Sequence, residues 1–140
     1  MDTKEKRGYI LDNYQNPANH GLPKDDKSYI FNNSKNESCV DNITIAVKFD
    51  GNKVADVRFD GDACAICTSA SSVMTKELMG KTKAEAELII DNFERMINEQ
   101  PYDEEVLGEL NIYNEVYKQP ARKKCALLPM DAMKKIIDNN

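Results

Sequence analysis

The clearest strand in the sequence is Asp41-Asn42-Ile43-Thr44-Ile45-Ala46-Val47-Lys48-Phe49, and the other predicted elements are arranged around it. Large apolar residues occupy every second position from 43 to 49, and this alternation is typical of a strand with one buried face. Asp50-Gly51-Asn52 follows directly and is a strong signal for a tight turn. Val54, Val57 and Phe59 then continue with less regular alternation. The stretch therefore predicts an antiparallel hairpin.

The residues before the hairpin predict one helix and one further strand. Residues 3–15 have a helical pattern in which Ile10, Leu11 and Tyr14 form an apolar stripe. Asn16-Pro17 should end this helix, because the residue before a proline is disfavoured in the α region. Residues 28–32 predict the first strand of the sheet.

The residues after the hairpin predict helices. Residues 65–79 have a helical pattern that ends at Gly80. Thr82-Lys83-Ala84-Glu85 is a capping box, which is typical of a helix start. Residues 98–119 are polar and acidic, and we expect them to form one or two short helical turns in a surface insertion.

A last helix is predicted from Pro120, which suits the first turn of a helix. Pro129 lies inside this helix and should kink it, since it cannot donate a hydrogen bond to the carbonyl of Cys125. Four residues at helical spacing are expected to form the buried face of this helix: Cys125, Leu128, Ala132 and Ile136.

Together these elements predict an α+β fold, in which a three-stranded antiparallel sheet has its helices packed on one face. At 140 residues the chain is long enough to bury a core, and we expect residues 1–140 to form a single domain.

The composition excludes several classes of protein. A net charge of −5 and a pI of about 5.0 argue against a general nucleic-acid binder. No apolar run approaches the roughly 18 residues of a membrane span, and the polar residues 1–7 are not followed by a signal-type apolar stretch. We therefore expect a cytoplasmic protein, monomeric in isolation, whose four cysteines stay reduced and serve metal or thiol chemistry.

Three of the four cysteines and one carboxylate form the candidate site. Cys39 and Asp41 enter the second strand and Cys64 leaves the third, so an antiparallel hairpin brings them to the same end. Cys125 is near the start of the last helix. Three thiols and a carboxylate are a complete ligand set for a tetrahedral metal such as zinc.

Local charge bears on the reactivity of these thiols. Cys64 and Cys125 lie near helix starts, where the helix dipole favours thiolate. Arg122, Lys123 and Lys124 add cations, although a solvated helix start explains this basic run equally well. Asp41 is the ligand that a soft metal would lose most easily, so the site is expected to be exchangeable.

Two further residues admit a functional and a structural interpretation. Cys67 completes the pattern Cys64-Ala65-Ile66-Cys67, which suits a redox pair or an all-thiolate zinc site; one helical turn deeper than Cys64, it suits a small buried side chain better. His20 is the one histidine in the sequence. It could be a ligand, but a loop histidine is more often simply solvated.

These motifs resemble the U-type iron–sulfur cluster assembly proteins, the IscU and NifU N-terminal domain family with its SufE/NifU-like fold. The resemblance covers nearly the whole chain. It rests on four motifs: Asn16 to Gly21, Ser38 to Asp41, Phe59 to Ile66 with the small-residue run Ser69 to Met74, and Pro120 to Ala126. Two positions depart from the family pattern: Val40, where glycine is usual, and Pro129.

Within the family the chain is most similar to the SufU branch, because Lys124 stands where the other branch has histidine and residues 98–119 resemble the SufU insertion. The resemblance implies a zinc ion held by Cys39, Asp41, Cys64 and Cys125, with Arg122 and Lys124 in support. It also implies a cysteine desulfurase partner, of the SufS type, that passes persulfide sulfur to Cys39 for relay to downstream cluster assembly proteins.

Two alternatives remain open. In the other branch the same ligands hold iron as a nascent [2Fe-2S] cluster, which would make the protein a scaffold. A different class is a small interaction domain stabilised by zinc, with no thiol chemistry. Asp41 argues against the latter, because a purely structural site gains little from a displaceable carboxylate.

Overall fold

The structure, a computed structural model, describes residues 1–36 and 40–140. Three strands, β1 (Ile30–Lys35), β2 (Asn42–Asp50) and β3 (Lys53–Asp62), form an antiparallel sheet in the order β1-β2-β3. The predicted hairpin is confirmed, with Gly51 at a φ of +60° in its turn. The first strand begins two residues later than predicted, because Ser28 instead forms a turn in which its N–H donates to the Asp26 carboxylate.

A β-bulge explains the irregular alternation in β3. The register pairs Lys48 with Asp56 and Phe49 with Val54, which leaves Ala55 as an extra residue. Val54 and Val57 can therefore both face the core although they are three residues apart, and both are fully buried.

The helices cover one face of the sheet, as predicted. They are α1 (Thr3–Gln15), α2 (Ala65–Leu78), α3 (Lys83–Ile97), the short α4 (Glu104–Leu107) and α5 (Pro120–Asp138) in the described part of the chain. Helix α5 packs on β1 and β2, and α2 packs on β3. Between them they bury the inward side chains of the hairpin, including Ile43, Ile45 and Phe59.

Helix α1 has the predicted bounds but not the predicted buried face. Leu11 and Tyr14 are 51% and 43% exposed, and only Ile10 of the expected stripe packs against the core. The buried residue is polar: Asn13 accepts a hydrogen bond from the hydroxyl of Ser72 in α2 at 2.8 Å. A polar contact between α1 and α2 thus replaces the expected apolar one.

Residues 98–119 were expected on the surface, but they contribute to the core. After α4 they form two 3₁₀ helices, Gly108–Tyr113 and Val116–Lys118. Tyr113 is fully buried, with its ring edge-on to Phe93 and its hydroxyl donating to Ser69 of α2 at 2.8 Å. Four aliphatic side chains are buried with it: Leu107, Leu110, Ile112 and Val116.

Helix α5 begins at Pro120 and continues on both sides of Pro129 without a break in its assignment. The four residues predicted for its inner face are all buried, with Cys125 completely so. None of the described helices is long and apolar enough to cross a membrane.

Candidate metal centre

Three of the four predicted ligands meet where the hairpin opens. Asp41 immediately precedes β2, Cys64 follows β3, and Cys125 lies on α5 where this helix crosses the sheet. One ligand atom from each lies within 4.8 Å of the other two. Asn42 and Asp62 are the last paired residues at this end of the hairpin. Asp41, just before β2, and Cys64, just after β3, are therefore held side by side.

Asp41 is the centre of this cluster. Its side chain has 1% of its surface exposed, and Oδ1 accepts a hydrogen bond from the backbone N–H of Cys64 at 2.7 Å. Its second oxygen, Oδ2, lies 3.6 Å from Cys64 Sγ. One carboxylate oxygen is thus occupied by the backbone, while the other points at the thiols.

Cys64 is the N-cap residue of α2. Its sulfur accepts the N–H of Cys67 at 3.4 Å, and the side chain is partly exposed. Gly61 allows β3 to lie close to β2 beside the site. Its φ is +149°, and a Cβ on this residue would lie 2.0 Å from the carbonyl oxygen of Asn42. A side chain at position 61 would therefore push β3 away from β2 beside the site.

The surroundings of Cys125 favour its thiol over its thiolate, opposite to the effect expected from a helix start. Burial raises its pKa well above the ordinary value, and hydrogen bonding to Asp41 and Cys64 raises that pKa further. Cys125 is the sixth residue of α5, beyond the first turn in which the helix dipole acts. Its sulfur lies 3.7 Å from the carbonyl of Ala121.

The donor set fits a zinc-like ion. Burying a carboxylate between thiols is costly unless a cation or hydrogen-bond donors compensate for it. Sulfur atoms bound to one tetrahedral zinc at ~2.3 Å are roughly 3.8 Å apart, so the 4.8 Å limit leaves only a small adjustment. A soft-to-borderline metal would satisfy all three groups.

The other residues predicted at or near the site are not part of the described cluster. Cys39 lies outside the described residues and precedes Asp41 by two positions in the sequence. Arg122 and Lys124 are exposed at the start of α5. Val40 is 81% exposed, whereas Asp41 is buried in the cluster, so the valine does not keep Asp41 out of the site.

Cys67 and His20 are not part of the described cluster. Cys67 is fully buried among the core residues of α2. His20 Nε2 lies 3.1 Å from a carboxylate oxygen of Asp60, and its ring lies edge-on to Phe59. The prediction that neither residue is a ligand is supported by these positions and stays a prediction.

A groove beside the site was not predicted from the sequence. It has a volume of about 540 Å³ and runs between α1, the first turn of α2 and the second 3₁₀ helix. Ile10, Leu11 and Ile66 supply apolar walls, and the cations Lys6 and Lys118 line it. The apolar stripe of α1 is the sequence signal for this groove, but the same stripe predicts a face packed on the core.

Comparisons with known proteins show the family of this chain. The NifU-like N terminal domain family matches residues 5–126. The zinc-dependent sulfurtransferase SufU of Bacillus subtilis is 35% identical over 130 residues, which cover 92% of this chain and 86% of that protein. The iron-sulfur cluster assembly scaffold protein IscU of Streptococcus pyogenes is 37% identical over 130 residues, covering 91% and 79%.

A solved structure has the same fold. The putative iron-sulfur cluster assembly scaffold protein for the SUF system from Fervidobacterium islandicum superimposes with a TM-score of 0.84 at 36% identity, over 90% of this chain and 91% of that one. The chain therefore belongs to the NifU-like N-terminal domain family of iron–sulfur cluster assembly scaffolds, and within it to the SufU branch.

Proposed function

We propose that this protein accepts persulfide sulfur from a cysteine desulfurase at a zinc-protected cysteine and relays that sulfur to cluster assembly. The observation that carries the proposal is the buried carboxylate of Asp41 between the thiols of Cys64 and Cys125. A site built only for stability would more usually have four cysteine or histidine ligands. A carboxylate ligand is displaced from zinc more easily than a thiolate. It therefore suits a site in which one coordination position must become free during sulfur transfer.

In this proposal Cys39, Asp41, Cys64 and Cys125 hold the zinc. When bound, zinc would keep its thiol ligands deprotonated, since thiolate is the form that binds metals. The protein itself orients the carboxylate: the Cys64 N–H donates to Oδ1 of Asp41, so Oδ2, beside the sulfur of Cys64, would be the oxygen that binds the metal. Arg122 and Lys124 would stabilise anionic sulfur at the entrance.

The transfer step exchanges one sulfur–sulfur bond for another. The thiolate of Cys39 attacks the terminal sulfur of the desulfurase persulfide, the persulfide bond breaks, and the desulfurase cysteine leaves as a thiolate. Cys39 then carries the sulfur, as a persulfide. No net oxidation occurs, and the persulfide proton travels with the transferred sulfur or exchanges with water.

The groove beside Cys64 is where we place the desulfurase. Lys6, Arg7 and Lys118 line it in a protein with a net charge of −5, so an acidic segment of the partner would be complementary. The carboxylate of Glu115, on the groove wall, already accepts hydrogen bonds from Thr3 and Lys118. Leu11, half exposed, offers apolar contact.

The same donor set supports cluster scaffolding as the second candidate function. Thiolates and a carboxylate can also hold iron, and scaffold proteins of this family are among the relatives. In that case the metal would be cargo and would be transferred onward. The SufU-like Lys124, in place of histidine, favours the sulfur-relay function.

The decisive experiment combines metal analysis with desulfurase turnover. Protein purified under reducing conditions should contain one zinc per chain and should stimulate alanine production by the desulfurase. Cys39→Ser should abolish this stimulation, whereas the matched variant Cys67→Ser should keep it. Full stimulation by Cys39→Ser would refute the proposal, and iron in place of zinc would favour the scaffold.

A further inference from the structure

We propose that Cys64 and Cys125 are also a modification site, at which hydrogen peroxide forms a reversible disulfide when these thiols hold no metal. The ligand atoms of the two residues lie within 4.8 Å of each other. The ~2.05 Å bond of a disulfide thus requires their sulfurs to approach by at most about 2.8 Å. Both are free thiols in this structure.

The position of Cys64 provides the freedom for that approach. It is the N-cap of α2, before the first helical residue, and its sulfur makes a long contact of 3.4 Å with the N–H of Cys67. Rotation of this side chain toward Cys125 breaks only weak contacts.

Exposure decides the order of events. Cys64 is partly exposed, whereas Cys125 is fully buried, so peroxide reaches Cys64 first. The oxygen–oxygen bond breaks, Cys64 becomes a sulfenic acid and one water leaves. The Cys125 thiol then gives up its proton as its sulfur attacks the sulfur of Cys64. The hydroxyl of the sulfenic acid leaves with that proton as a second water, so two thiols and one peroxide give one disulfide and two waters.

Cys67 is the competing partner, because residues 64 and 67 form a CxxC pattern. Its side chain has no exposed surface and packs with the core residues of α2. A disulfide with Cys67 would have to draw that side chain out of the core or draw Cys64 into it. The Cys125 sulfur already faces Cys64 beside the Asp41 carboxylate.

The disulfide would control loading of the site. It would remove two of the proposed ligands at once, so the oxidised protein could not bind zinc until a thiol reductant opens the bond. Formation of the disulfide does not depend on the proposed sulfur transfer. Its effect on desulfurase stimulation does rest on that function, and it is measured separately.

The test treats chelated protein with hydrogen peroxide, blocks the remaining thiols and maps the products by mass spectrometry. We expect a linked pair of peptides containing Cys64 and Cys125, loss of two of the four thiols, and recovery of both with a reductant. Circular dichroism checks that the chelated protein stays folded. Zinc-loaded protein should react more slowly.

Variants separate the possible partners. Cys39→Ser and Cys67→Ser should each still form the disulfide, whereas Cys125→Ser should leave Cys64 as a sulfenic or sulfinic acid. A link from Cys64 to Cys39 or to Cys67 would overturn the proposal. So would oxidation of Cys64 in the unsubstituted protein with Cys125 still a thiol.

Discussion

Helices α2 and α3 begin with the same pattern of hydrogen bonds, built from different parts of the chain. At α3 the hydroxyl of Thr82 accepts the N–H of Glu85 at 3.1 Å, and the Glu85 carboxylate accepts the N–H of Thr82 at 3.0 Å. At α2 the sulfur of Cys64 takes the place of that hydroxyl. The carboxylate that accepts the N–H of Cys64 comes from Asp41, 23 residues earlier.

The comparison indicates that the cap of α3 serves stability, whereas the cap of α2 uses residues of the proposed metal site. The α3 cap is local and uses the residues that sequence preferences favour. The α2 cap uses a sulfur, which is a weak acceptor, and the carboxylate of the residue that precedes β2, so it is poorer as a cap. The sulfur of Cys64 and the carboxylate of Asp41 are two of the three groups in the described metal cluster.

The largest effect should follow replacement of the α2 cap by a better one, Cys64→Ser. Serine is a preferred N-cap residue, so the melting temperature of the metal-free protein should stay the same or rise. Zinc affinity should fall by about 100-fold or more, since four ligands together supply roughly 10–16 kcal/mol in structural zinc sites. Calorimetric zinc titration and thermal melts check both parts. Unchanged zinc affinity would show that Cys64 is not a ligand.

Asp41→Ala should weaken zinc binding and alter sulfur acceptance while the domain stays folded. The core formed by the hairpin and the helices does not depend on the site, although the Cys64 N–H loses its acceptor. Asp41→Asn is the matched control, because its amide oxygen can still accept that N–H but carries no charge. Circular dichroism and zinc titration of both variants test this prediction. Complete loss of structure in metal-stripped protein would instead favour a structural zinc.

Cys67→Ser should keep metal content and desulfurase stimulation within about twofold, because Cys67 is buried in the core and a lost thiolate ligand would cost far more. A buried hydroxyl without a partner would cost about 1–2 kcal/mol in the free energy of unfolding. Zinc analysis and urea denaturation of the purified variant measure the two quantities. Loss of zinc would make Cys67 a ligand and move the site to the all-thiolate class.

Thr82→Ala should reduce the free energy of unfolding by about 1 kcal/mol and leave zinc affinity unchanged. The substitution removes the acceptor of the Glu85 N–H at a helix start far from the cluster. Urea denaturation measures the loss. A change in zinc affinity would mean that the two helix starts are coupled.

The smallest effect concerns pH. The hydrogen bond from the Thr82 N–H lowers the pKa of Glu85 below its ordinary value. A carboxylate whose folded pKa is depressed contributes stability above its unfolded pKa and loses it as the pH falls through the folded pKa. Stability of the parent protein should therefore fall more on acidification than that of Glu85→Gln. Equal acid dependence in the two proteins would contradict this.

Local sequence patterns predicted the elements that depend on residues close together in the chain. The hairpin, the capping box at Thr82 and the inner face of α5 were all correct, because each depends on residues a few positions apart. The meeting of Asp41 with Cys64 followed from hairpin geometry. The high pKa of Cys125 did not, since it depends on burial and on a carboxylate brought in by the fold.

Two regions escaped sequence analysis for physical reasons. The face of α1 that is buried carries Asn13, and a polar residue held by a serine from another helix gives no hydrophobic signal. Most of the buried side chains in residues 98–119 lie on two 3₁₀ helices, and these side chains do not follow the 3.6-residue period of an α-helix. Their acidic composition concealed that contribution.

The hydroxyl of Tyr113 ties residues 98–119 to Ser69, five residues after Cys64 on the same helix. Segments that connect the main helices are commonly treated as detachable and are trimmed or grafted on that assumption. This one is not detachable, because its removal would uncover Phe93 and leave Ser69 to find another partner. Anyone who shortens the segment must therefore repack α2 and α3 at the same time.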